Sequence, residues 1–252
     1  MAGSQADPSK IALTSLTTEA EFREAVALQK TIWGFGDVDM LPFRFFVVAV
    51  KVGGQLFGAW DDDKMVAFCL AIPGLKAGLK PYLHSHMLGV LSDYRDYGIG
   101  RRLKLHQRDE ALARGIDLIE WTFDPLELKN AWFNIERLGA VIRRHVRNQY
   151  GTTTSHLQAG LPTDRCTAEW WLDSPRVHAK TRGGHIERPP VVGRIEYPDN
   201  IGEIKHSDPA RARDIQAANA ERFEDAFRQD LVVTGIERTP GITAYLLSET
   251  AE

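Results

Sequence analysis

The chain has only two cysteines in 252 residues, Cys69 and Cys166, with no CxxC and no Cys/His spacing around them. That scarcity excludes a disulfide framework and a zinc knuckle. Net charge is small, -3 at neutral pH with a pI near 6.3, so nothing global draws the chain to nucleic acid or to an acidic membrane surface. The unbroken apolar runs, Phe45 to Val50 among them, are far too short to span a bilayer, and the opening MAGSQADPSK has no apolar stretch of the secretory kind. Repeats and low-complexity tracts are missing too. What is present is 43% hydrophobic residues, enough for a substantial core. The expectation is a cytoplasmic protein with no membrane and no nucleic-acid partner, in which any anion site is local.

Lys10 to Leu16 reads as a first strand. Thr18 to Glu21 has capping-box spacing, and Phe22, Val26 and Ile32 then recur helically up to Gly34. Leu41 to Val52 reads as a helix with Pro42 in its first turn, although FRFFVVAV would also suit a buried strand. Gln55 to Trp60 and Met65 to Ile72 form a hairpin around the acidic turn Asp61 to Lys64. Tyr82 to Leu91 is a third strand, residues 101 to 114 a helix, Asp117 to Phe123 a strand, Leu128 to Leu138 a helix, and Ala140 to Val146 and Thr167 to Leu172 strands. Residues 174–192 are rich in Pro, Gly and basic side chains and are expected to be a linker or exposed loop. They divide a core, 1–173, from an extension, 193–252. In that extension Asp208-Pro209 opens a helix, and Leu231 to Ile236 and Ile242 to Leu247 form a hairpin; the whole is expected to pack on the core.

Between the third strand and the helix after it stands RDYGIGRRL, residues 95–103. A strand, a turn with two glycines and an immediate helix aim free backbone amides and the positive helix end at one point, which suits an anion. A P-loop would need Gly-Lys-Ser/Thr where the chain has Arg101-Arg102-Leu103, and a dinucleotide fingerprint would need a third glycine at Leu103.

Arg95-x-x-Gly98-x-Gly100 instead resembles the acyl-CoA pyrophosphate motif of the GNAT (GCN5-related N-acetyltransferase) superfamily. Its companion is Asn130 to Gly139, NAWFNIERLG, which is similar to that family's Asn/Ala-rich helix running into Leu-Gly, with Ala140 in place of the usual aromatic. The order of elements over about residues 9 to 173 agrees. SHMLGV, WTFDPL, NQYG and LPTDR resemble a bacterial-type subgroup in which a tail follows the core. The resemblance implies an α/β GNAT acyltransferase fold: a twisted, mixed, mostly antiparallel central sheet flanked by helices, here with a C-terminal helix and hairpin extension. It implies acetyl-CoA or another acyl-CoA as cosubstrate. The backbone of Met87, Leu88, Gly89 and Val90 would hold the pantetheine arm and polarise the thioester. The turn Arg95, Asp96, Tyr97, Gly98, Ile99, Gly100, Arg101 and Arg102 would take the pyrophosphate, with Asn130, Phe133 and Asn134 from the second signature also at the cofactor.

Transfer to an amine needs a base, because the ammonium form has no lone pair, and then a proton for the departing thiolate. The family's usual glutamate base stands eleven residues before the motif's Arg, which is His84 here. His86 shares its side of the strand, and Glu120 on the next strand could act or orient. A His84-x-His86 metal pair lacks a third ligand nearby, so no metal is expected. The family's tyrosine acid falls at Ile135, which leaves Tyr150 as a substitute. Arg165 is the candidate clamp for a substrate carboxylate. The expected activity is N-acylation of a small-molecule amine, with amino acids among the candidate acceptors, by an acetyl or a longer group such as succinyl. The alternative is a CoA-binding sensor or interaction module without catalysis. A homodimer is left open.

Overall fold

Thr18 opens the first helix by a reciprocal bond: its hydroxyl accepts the amide of Glu21 at 3.3 Å, and the Glu21 carboxylate accepts the amides of Thr17 and Thr18 at 2.8 and 2.7 Å. Those two amides hold the Glu21 carboxyl below its ordinary pKa. Helix α1, Glu19–Trp33, runs from this cap to Gly34, which closes it in the left-handed conformation. Buried Gln29 then grips the connection that follows, exchanging two hydrogen bonds with the backbone of Leu41. Pro42 starts α2, Phe43–Lys51, so FRFFVVAV is helix rather than strand. Only Phe46 and Ala49 of α2 are buried, which is the spacing of one helical face.

This is a computed structural model, and it describes residues 10–151 and 158–252. The remainder of the expected 1–173 core, residues 1–9 and 152–157, lies outside the described residues. The chain divides into two compact units, one up to Ile119 and one from Glu120 onward.

In the first unit, strands β1 (Ala12–Ser15), β2 (Gln55–Asp61), β3 (Lys64–Leu75) and β4 (Pro81–Val90) lie side by side in that order, and each pair is antiparallel. On one face Phe22, Leu28 and Ile32 of α1 and Phe46 of α2 pack on Phe68, Leu70 and Met87. On the other, Ile99 and Leu103 of α3 (Ile99–Ala113) pack on Phe57, Ala67 and Cys69. Each such side chain, fully buried, contributes on the order of 1.5–3 kcal/mol. Gly54, after α2, has no room for a side chain: a Cβ would meet the carbonyl oxygens of Ala71 and Ala49 at 2.4 and 2.5 Å.

In the second unit the strand order is β5 (Leu118–Phe123), β7 (Arg165–Trp171), β6 (Val141–Val146), β9 (Val232–Thr239), β10 (Ile242–Ser248) and β8 (Gly193–Pro198). The helices are α4 (Leu128–Trp132), α5 (Pro175–Arg182), α6 (Ile201–Ser207) and α7 (Pro209–Arg228). Three details differ from expectation. The helix expected to run to Leu138 stops at Trp132 and continues as a π-helical turn, Phe133–Arg137. Segment 174–192 is not simply a linker: Ser174 caps α5 by accepting the amide of Val177, Pro175 is its first residue, Gly183 ends it, and Arg176 and Val177 are buried. The extension holds β8 and α6 besides its expected helix and hairpin. The extension joins the strands before it within this unit. Val233 of β9 faces Ile142 of β6, Arg147 pairs with Glu224 of α7, and Tyr245 of β10 donates to the Pro125 carbonyl at 2.7 Å.

Candidate active site

Strand β4 ends at Val90, and a short 3-10 turn leads to Asp96 and Gly98, both with positive φ (66° and 74°). Gly98 is the N-cap of α3 and offers no side chain to its amides, and the helix has no acid in its first turn. The first intrahelical bond is donated by Arg102 to the Gly98 carbonyl, which leaves the amides of Ile99 and Gly100 without an acceptor inside the helix. A Cβ on Gly98 would meet nothing within 4 Å, so the turn favours glycine through its φ rather than through lack of room. Gly100 lies over β4, where a Cβ would stand 3.5 Å from Leu88 and 3.8 Å from Val90. Arg95 donates to the Val90 carbonyl at 3.3 Å, and the Arg102 guanidinium donates to the Ile11 carbonyl at 2.6 Å, tying α3 to the start of β1.

β4 is irregular at one point. Met87 faces Leu70 and Ser85 faces Ala71, so His86 is an extra residue, a β-bulge. The His84 and His86 rings lie 6.0 Å apart, and Phe45 of α2 stands 6.4 Å from His86. His86 is open to solvent on one side, yet the protein around its ring lowers its pKa by desolvation, which favours the neutral imidazole. Gly89 serves packing: a Cβ there would meet the Trp33 ring at 2.7 Å.

On the opposite face of β4, Lys104 of α3 donates to Ser85 Oγ at 2.7 Å, and Ser85 bonds Gln107 at 3.2 Å. Both α3 side chains and Ser85 are buried. Burial brings the Lys104 ammonium down to about 7, with the Cys69 thiol nearby pushed up to about 12 by the same desolvation. Sequence reasoning missed this group. Its signal was available: Lys104, Gln107 and Arg108 occupy buried positions of α3 where the helical period calls for apolar side chains.

In the second unit the buried Glu120 carboxylate pairs with Arg144 at 2.5 Å, and Arg144 and Arg143 both reach Glu169, at 3.5 and 2.8 Å. Two residues along β5, Thr122 Oγ1 lies 2.9 Å from the hydroxyl of Tyr150, whose ring carries the Arg165 guanidinium 5.5 Å from its centre. Arg165 also donates to the Asp164 carbonyl at 2.8 Å and to Gln158 Oε1 at 3.2 Å. The structure therefore brings Tyr150 and Arg165 together with Thr122, a partner not foreseen. Ile135 is fully buried, so the position of the family's tyrosine is core here. Asn134 is 2% exposed and its buried Nδ2 has no hydrogen-bond partner; Asn130 is exposed and Phe133 half-buried.

The α3 terminus, capped by no side chain and with no acid in its first turn, fits an anionic ligand rich in oxygen acceptors, as CoA is. The fold is that of N-acetyltransferases. The ribosomal-protein-S18-alanine N-acetyltransferase of Escherichia coli superposes with a TM-score of 0.51 at 20% identity, over 65% of this chain and 95% of that one. Arabidopsis thaliana Naa50, solved with the bisubstrate analogue CoA-Ac-MVNAL, gives 0.51 at 17% identity over 64% and 97%. Arabidopsis thaliana NAA60, also with a bisubstrate analogue, gives 0.52 at 15% over 64% and 97%. No curated protein sequence matches the chain. Residues 20–139, just under half of the chain, match the family model for the Acetyltransferase (GNAT) family, and that segment is a GNAT domain. It is an acyltransferase whose cosubstrate is an acyl-CoA. Among the described residues no helix is long and apolar enough to cross a membrane.

Proposed function

We propose that this protein transfers an acyl group from acyl-CoA to the amine of a small molecule in the cytoplasm, with residues 1–173 as the catalytic core and 193–252 as an extension. An amino acid is the favoured acceptor class, and acetyl the first donor to test, ahead of succinyl. The observation that carries the cofactor half of this reading is the α3 terminus: helix-end amides, no capping side chain, and a glycine in the left-handed region whose Cβ position is empty. Those amides would hold the pyrophosphate, aided by Arg95 and Arg101.

Bound acyl-CoA supplies an activated thioester carbonyl and a weakly basic thiolate as leaving group. The chain supplies the rest. Backbone groups of residues 87–90, beyond the bulge, polarise the carbonyl, an effect on the order of 3 kcal/mol per donor in such reactions. His84 and His86 are the candidate bases, and His86 is favoured by a lowered pKa that keeps its imidazole neutral and able to take the ammonium's proton. Glu120, already bound to Arg144, is assigned to orientation rather than to proton transfer. Tyr150 is the candidate donor to the departing sulfur. Arg165, stacked on Tyr150, is the candidate clamp for an acceptor carboxylate, which is what favours an amino acid.

A second reading, a CoA-binding sensor without turnover, is favoured by the aliphatic core residue at Ile135. One assay separates the two: thiol release from acetyl-CoA and succinyl-CoA across a panel of amino acids and simple amines. The enzyme reading expects release that depends on the amine; saturable acetyl-CoA binding with no release from any acceptor contradicts it.

A further inference from the structure

The bulge in β4 poses a mechanical problem. A strand with one extra residue can slip to the regular register, and a slip of one position turns every later side chain to the opposite face. In β4 such a slip would turn His86 away from Phe45 and carry the backbone of residues 87–90 with it. Ser85, immediately before the bulge, is held from the other side of the strand. Lys104 donates to its Oγ at 2.7 Å, and the same oxygen is 3.2 Å from Gln107 Oε1. The backbone carbonyl of Gln107 accepts Gln55 Nε2 at 2.8 Å, and Gln55 belongs to β2. A polar chain therefore runs from β2 through α3 to Ser85, and all four of its residues are buried.

A buried lysine is a costly way to fill a helix position that a methionine or leucine would fill without desolvation, so packing alone does not account for it. One thing it does is hold Ser85 Oγ. We propose that Lys104 is a positioning residue: through Ser85 it locks the β4 bulge, and thereby holds His86 and the 87–90 backbone in their reactive arrangement. The proposal builds on the acyltransferase reading, but the locking itself is measurable without turnover.

Lys104→Met preserves length and apolar packing and removes the donor; Ser85→Ala removes the acceptor. Hydrogen exchange in Lys104→Met should quicken at residues 85–88 by about tenfold or more, the size expected for losing a buried hydrogen bond, while exchange in α1 does not quicken and thermal stability does not fall. With the best acceptor, kcat should drop by about tenfold or more and the acetyl-CoA KM should stay within about twofold. The double variant should fall no further than Lys104→Met alone, because both changes cut one link. Unchanged exchange at 85–88 in a folded Lys104→Met overturns the proposal, as do losses that multiply in the double variant. If the unmodified protein turns over no acceptor, exchange alone decides: quickened exchange upholds the lock and places the failure on the acyltransferase reading.

Discussion

His86 combines two properties that rarely occur at one strand position. It is the unpaired residue of a bulge, so its ring is aimed by the irregularity rather than by the ladder, and its surroundings lower its pKa below the ordinary 6.5. For a base that must be neutral to act, the sign is direct: activity is full at neutral pH and falls only as pH drops through that lowered value. The acidic limb of kcat/KM is accordingly expected below 6.5, and His86→Gln should remove most of the rate. A limb unchanged in His86→Gln would move the base to His84. The pair itself was legible in the sequence, because alternation put both histidines on one side. The bulge was not, since a register shift is set by how β3 and β4 pair and leaves no local signature around Ser85 to Met87. Lys104 was hidden for a related reason: a lysine in a helix reads as solvated unless its periodic position is given more weight than its chemistry.

Among the elements, α6 has the clearest structural task. It inserts Lys205, 1% exposed, between Asp124 at 3.4 Å and Glu127 at 2.9 Å, on the connection from β5 into α4. Burial raises the Asp124 carboxyl above its ordinary pKa, and Lys205 opposes that rise. Removing the lysine strands the carboxylate. Lys205→Met should cost about 3–5 kcal/mol near neutral pH, the usual penalty for breaking one side of a buried pair. A carboxyl whose folded pKa is raised loses stability as pH rises and regains it as pH falls, so the deficit should shrink on acidification. Denaturant unfolding at two pH values checks both size and sign; a deficit that grows toward acid would contradict the assignment. The elements of the first unit were largely readable, down to the Thr18 box, Pro42 and the acidic hairpin turn. Segment 174–192 was misread. Ser174-Pro175 and Gly183 are proper start and stop signals, but α5 has only eight residues and little apolar periodicity, so its prolines, glycines and basic side chains dominated.

At the scale of the molecule, a GNAT domain matched over residues 20–139 stands in a chain that continues far beyond it, into β8, α6, α7, β9 and β10. The cofactor class was legible because the amides of a glycine turn are backbone chemistry, which a short motif encodes. The cluster of Thr122, Tyr150 and Arg165 was not, because these residues come from separate stretches whose meeting depends on tertiary packing. The central claim is that the α3 terminus holds the anionic part of acyl-CoA. Gly98→Asp tests it most directly: aspartate tolerates the left-handed region better than most residues, and its carboxylate would compete for the helix-end amides. Calorimetric titration of acetyl-CoA into the folded variant is expected to show affinity weakened by about tenfold or more relative to the unmodified protein, since one anion displaces another at the same helix end. Equal affinity in the two proteins would contradict the account.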